Sequence, residues 1–150
     1  MDVAAFGSIA YRLTAPDFAR LDRVMALGFT ILASDANGSD EQIQQHLAAR
    51  SYPHVVVYHN GVRDGEPRRN LGGWRTVLVG GSFTDKDIRM CADAQAGLAF
   101  WNGRSTGTAR NVAQLRREGK KVRVASRFAY PFATVSADPL FDALLEDAGA

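Results

Sequence analysis

Cysteine is almost missing: Cys91 stands alone among 150 residues, so no internal disulfide framework can form. Also absent is any run near the ~18 consecutive apolar residues of a membrane helix, which excludes a membrane span by helices and makes a membrane partner unexpected. The start, Met1-Asp2-Val3, has neither the basic segment nor the apolar stretch of a signal peptide, and a cytoplasmic location is the expectation. Three signatures are lacking: the P-loop Gly-x-x-x-x-Gly-Lys-Ser/Thr, the dinucleotide Gly-x-Gly-x-x-Gly, and the Gly-x-Ser-x-Gly nucleophile elbow. His46, His54 and His59 do not share a metal-ligand spacing, since His54 and His59 fall on opposite faces of one strand, and no second cysteine joins Cys91. No metal site and no cofactor are expected, and Cys91 reads as a core residue rather than a nucleophile.

What is present is the composition of a globular domain. With 46% hydrophobic and 23% charged residues, the chain reads as one domain over residues 1–150. That length buries roughly 68–70% of its unfolded surface without staples. The formal charge of +2 is mild, although Arg116, Arg117, Lys120, Lys121, Arg123 and Arg127 gather in the last third. Such a cluster reads first as a solvated face complementing a helix end, with single-stranded nucleic acid as a further, less favoured alternative.

Apolar runs and helical periods alternate along the chain. Residues 3–6 read as a first strand, ending at Gly7-Ser8, where glycine permits close approach to the backbone. Thr14, Pro16 and Asp17 open a helix with Phe18, Leu21, Val24, Met25 and Leu27 on one face, and Gly28 closes it. Residues 29–33 form a second strand, followed by Ser34-Asp35-Ala36-Asn37-Gly38-Ser39-Asp40 and a helix to about Ala49. In that turn Ser39 or Asp40 suits a helix cap, whereas Asp35, at the strand end, is the better candidate for chemistry. A third strand spans 54–59. Residues 76–79 suit a short edge strand, and Ser82 or Thr84 starts a helix with Ile88, Cys91 and Ala92 facing inward.

The organising unit is 96–124, a strand, a loop, a helix and a strand. Its loop, Asn102-Gly103-Arg104-Ser105-Thr106-Gly107-Thr108, would lie with the first helical turn at the carboxyl edge of a parallel sheet, where open N–H groups attract an anion. An ordinary turn with Thr106 or Thr108 as cap is the competing reading. The polar stretch 60–75 is long for a connector and carries Arg63, Arg68, Arg69, Asn70 and Trp74, which makes it a candidate to close over a ligand. Within it Trp74 is the better candidate to stack on a base, and Trp101 the better core residue. After Pro131, residues 138–145 suit a last amphipathic helix whose apolar face makes a homo-oligomer an expectation.

Four segments together resemble the SLOG superfamily, the Rossmann-like group that includes the Lonely-guy phosphoribohydrolases and the DNA-processing protein of transformation. They are Phe6-Gly7-Ser8, Ser34 to Asp40, Lys86-Asp87-Ile88-Arg89-Met90, and Asn102 to Thr108. The fold expected is a three-layer αβα Rossmann-like sandwich with a mainly parallel sheet of about five strands and a C-terminal helix. The resemblance implies a nucleotide or nucleotide-derived ligand, with phosphate held by Gly103, Ser105, Thr106, Gly107 and Thr108. Gly7 and Ser8 would lie beside it, and Asn37, Arg69, Trp74 and Arg89 would supply further contacts. It also allows an N-glycosidase or phosphoribohydrolase acting on a nucleoside monophosphate. Here the chain departs from the pattern: the glutamate that follows the Gly-Thr pair in phosphoribohydrolases is Asn111. An oxocarbenium-like state needs a carboxylate, so an enzyme would have to recruit another, Asp35 or Asp87 being the candidates, with Asp40 and Asp85 also near the loop edge.

Overall fold

The computed structural model describes residues 1–125. The predicted C-terminal helix and Arg127 lie outside the described residues. Six strands alternate with four helices: β1 (Asp2–Gly7), α1 (Ala15–Ala26), β2 (Thr30–Ser34), α2 (Ser39–Ala49), β3 (Val55–His59), β4 (Arg75–Leu78), α3 (Phe83–Asp93), β5 (Ala96–Phe100), α4 (Thr106–Arg117) and β6 (Lys121–Ala125). The sheet is six-stranded in the order β4-β3-β2-β1-β5-β6, and every pairing is parallel. This is the expected mainly parallel sheet of about five strands, the predicted short edge segment β4 pairing in parallel register with β3 as one of six.

Two cores explain why the strands read as continuous apolar runs. Alternate residues of β1 point to opposite faces: Val3 and Ala5 meet Leu21 and Val24 of α1 and Ile43 and Leu47 of α2, while Ala4 and Phe6 meet Met90 and Cys91 of α3 and Val112 and Leu115 of α4. Both faces are covered, giving a Rossmann-like three-layer sandwich.

Residues 60–74 are long because parallel pairing returns the chain from the carboxyl end of β3 to the amino end of β4. No helix makes that crossover. The inward face of α3 also differs from expectation: Ile88 and Ala92 are exposed, and Lys86, Met90 and Cys91 are buried. Burying Lys86 one turn before Met90 rotates Ile88 to the outside. Burial also pushes the Cys91 thiol up to about 12, in keeping with a core role.

Candidate functional site

The strand order reverses between β1 and β5, and a crevice opens there at the carboxyl ends of the strands, the switch point of this architecture. Ser8 knits its two sides together. Its backbone N–H donates to Phe100 O at 2.9 Å, its hydroxyl accepts from Asn102 N at 3.1 Å, and the same hydroxyl lies 3.4 Å from Thr108 Oγ1. Gly7 is required by close approach: a Cβ there would stand 2.6 Å from Phe100 O and 2.7 Å from Ser39 Cβ.

The loop after β5 is shaped by its own side chains. Asn102 Oδ1 accepts from the N–H groups of Arg104 and Ser105. Ser105 is the N-cap of α4, and its hydroxyl accepts from Thr108 N. Thr106 and Gly107 occupy the next two positions, in the first turn, where an α-helix supplies no internal acceptor for N–H groups. Trp101 is buried and donates from its indole to Ser105 O, so it supports the loop from below.

A cavity of about 210 Å³ lies against this turn, and Ser105, Gly107, Thr108 and Asn111 form one wall. Gly7, Asp40, Arg68, Lys86 and Asp87 are among the residues that line the remainder. At Gly107 the backbone is helical, and a Cβ would meet nothing nearer than Arg110 at 3.8 Å. Glycine here costs helix stability without any steric need for it, and it leaves the cavity open.

Charged groups pack beneath. Lys86 is fully buried; its ammonium donates to Ser34 Oγ at 2.6 Å and lies 3.1 Å from Asp87 and 3.8 Å from Asp35. Asp40 accepts from Gly7 N at 3.2 Å. Burial above all pushes the Asp40 carboxyl up to about 7, Asp87 adding to the effect and Lys86 offsetting part of it. Asp40 is therefore a carboxyl that exchanges its proton near neutral pH inside the cavity.

The turn before α2 does not work as a helix cap in the expected way. Gly38 is the N-cap, with φ of 74°, and a Cβ there would collide with Ile9. Ser39 instead donates to Ser8 O at 2.6 Å and Tyr11 O at 3.0 Å, and Asp40 reaches back to β1. Ser39 ties α2 to the loop after β1, and Asp40 ties it to the end of β1 itself.

Asp35 is placed differently from the expectation that it acts as base. It has no exposed surface, does not line the cavity, and accepts from both the backbone and the guanidinium of Arg68, each at 2.8 Å. Burial works to raise its carboxyl, but the hydrogen bonds and charge of Arg68, with Lys86 behind, hold it below the usual range. Asp85 likewise serves a cap, accepting from Ser82 N at 2.8 Å.

Other sequence candidates separate from the cavity. Arg69 donates to Asn37 Oδ1 at 2.6 Å and pairs with Glu41, so these two candidates engage each other away from the cavity. Arg89 pairs with Asp93 at 2.9 Å on an exposed face of α3. Trp74 precedes β4 and so sits at the amino edge of the sheet, donating to Tyr52 O at 2.8 Å, opposite the edge where a stacking role was expected. Gly103, with φ of 85°, and Thr106 shape the loop without lining the cavity. In the basic cluster, Lys120 caps α3 through Cys91 O and Ala92 O. Among the described residues no group of three or more His, Cys, Asp or Glu side chains converges as a metal site requires.

Sequence reasoning gave no role to Ile9, to Phe83 or to Lys86, the first residue of the third resembling segment, and all three line the cavity. Only the four-residue spacing of Lys86 and Met90 hinted at a shared face.

No family model and no curated protein matches this chain. Among solved structures, one of the DNA processing protein A from Helicobacter pylori, concerned with its single-stranded DNA binding mode, is similar. The TM-score is 0.61 at 13% identity, covering 100% of this chain and 74% of that one. That likeness establishes the Rossmann-like fold.

Proposed function

We propose that residues 1–150 form a single SLOG-like domain that binds a nucleotide-type ligand at the carboxyl edge of the sheet, its phosphate on the first turn of α4. The observation that carries this reading is Gly107. It stands where the helix has open N–H groups, faces the cavity, and has no steric reason to be glycine. Ser105 and Thr108 supply hydroxyls on the same wall, and Arg68 and Lys86 supply positive charge from the other side. Arg68 is the contact that the 60–74 crossover contributes, fixed in place by Asp35.

A thermal-shift series with nucleoside monophosphates, ADP-ribose and short single-stranded oligonucleotides tests this reading. A ligand at ~100 times its dissociation constant adds ~2.7 kcal/mol to stability. Stabilisation by monophosphates that disappears in Gly107→Asp supports the proposal. Oligonucleotide binding alone, with steep loss in salt, would instead extend to this chain the single-stranded DNA binding of the similar structure.

Asp40 favours a second reading, hydrolysis of an N-glycosidic bond. Its carboxyl, poised near pH 7 in the cavity, is suited to proton transfer, whereas Asn111 takes the position of the missing glutamate. Asp87, at the same cavity, is the candidate retained from the sequence. Incubating AMP with the protein and chromatographing for adenine decides it: release abolished in Asp40→Asn supports turnover, and intact AMP leaves a binding module.

A further inference from the structure

The cavity holds about 210 Å³, less than the roughly 300–1,000 Å³ that encloses a whole small ligand. On the phosphate reading above, on which this inference rests, that space takes phosphate and sugar and leaves the base outside. Two apolar side chains that line the cavity are strongly exposed, Ile9 at 69% and Phe83 at 45%.

Phe83 is held in place. It occupies the first position of α3, behind the Ser82–Asp85 cap. The Arg68 guanidinium lies 4.2 Å from its ring centroid, and Arg68 is itself fixed by two hydrogen bonds to Asp35. The Lys86 ammonium lies 6.0 Å from the same centroid, and the part of the ring open to solvent is the surface left for stacking. An aromatic ring held this way loses little freedom on stacking with a base. Trp74, the aromatic that sequence reasoning favours, is at the other edge of the sheet and cannot take this role.

We propose that Phe83 is the base platform of the site, stacking the nucleobase of a bound nucleoside monophosphate, with Ile9 flanking the base across the mouth of the cavity. Aromatic stacking increases with the area of overlap, so the platform favours a larger base over a smaller one.

Calorimetric titration with two probes, AMP and ribose 5-phosphate, tests this. The wild-type protein should bind AMP about 5- to 150-fold tighter than ribose 5-phosphate, the range of a base–aromatic stack. Phe83→Ala should abolish the preference for AMP over ribose 5-phosphate, and Phe83→Tyr should keep it. Equal affinities in the wild type, or a preference that survives Phe83→Ala, would overturn the platform while the phosphate site stands. If neither probe binds the wild type, the phosphate reading fails and the platform fails with it.

Discussion

Asp35, at the end of the β2 region, accepts two hydrogen bonds from the same residue, Arg68, one from the backbone and one from the guanidinium. A strand end is thereby fastened to the middle of the β3–β4 crossover. Removing the carboxylate leaves a largely buried guanidinium without its partner, and loss of one side of a buried pair costs about 3–5 kcal/mol. Arg68 keeps some solvent, so Asp35→Ala should fall at the lower end, about 3 kcal/mol by urea denaturation. If Asp35 acted only as a base, the variant would keep full stability.

Gly107 should separate stability from binding. Gly107→Ala adds a methyl group in open space and should raise stability by about 0.5–1 kcal/mol through helix propensity while weakening AMP binding. Gly107→Asp should fold and lose AMP altogether, because a carboxylate replaces the anion at the helix start. Retained affinity in the aspartate variant counts against a phosphate at this turn.

Asp40 sets a pH dependence of stability. Its carboxyl titrates at 3.8 in the unfolded chain and at about 7 in the fold. Between those values the folded state holds a proton that the unfolded state has lost, so stability falls as pH rises from about 4 to about 7 and then levels off. Each unit of difference contributes about 1.4 kcal/mol. Asp40→Asn removes the titration, and its denaturation midpoint should vary less over this window than that of the wild type. A variant curve parallel to the wild type would place the titration elsewhere.

Gly7 is held to glycine by packing. Gly7→Ala sets a Cβ within 3 Å of Phe100 and Ser39, two elements that cannot both retreat, and overpacking of this kind costs about 1–3 kcal/mol. Circular dichroism melts should show the loss at every pH.

The α/β order was legible in the sequence because β1, β2, β3 and β5 are buried on both faces and each helix has one apolar stripe, patterns that local reading detects. The loop at 103–108 was legible for the same reason: it joins a strand to a helix. Side-chain destinations were not. Ser39 and Asp40 look like caps until α2 is seen against the loop after β1, and Asp35 looks available until Arg68 arrives from 33 residues away. Trp74 looked like a lid residue because a sequence shows no carboxyl or amino edge. Lys86 was hidden by its charge, since burial of a lysine depends on Ser34, Asp35 and Asp87 converging from two elements.

The fastening of Arg68 also changes how the chain closes its crossover. Untethered, 60–74 would be one long excursion joining β3 to β4; tied at Arg68, it becomes two short ones. The entropy of closure grows only with the logarithm of loop length, about 0.6 kcal/mol for each doubling. Residues 61–66, which turn through Gly61, Asp64 and Gly65 with positive φ, lie in the longer half, where an insertion of given length costs less than in the shorter half after Arg68. Chain inserted there would lengthen the half-loop ahead of Arg68 and leave the half that delivers β4 to the sheet edge unaltered.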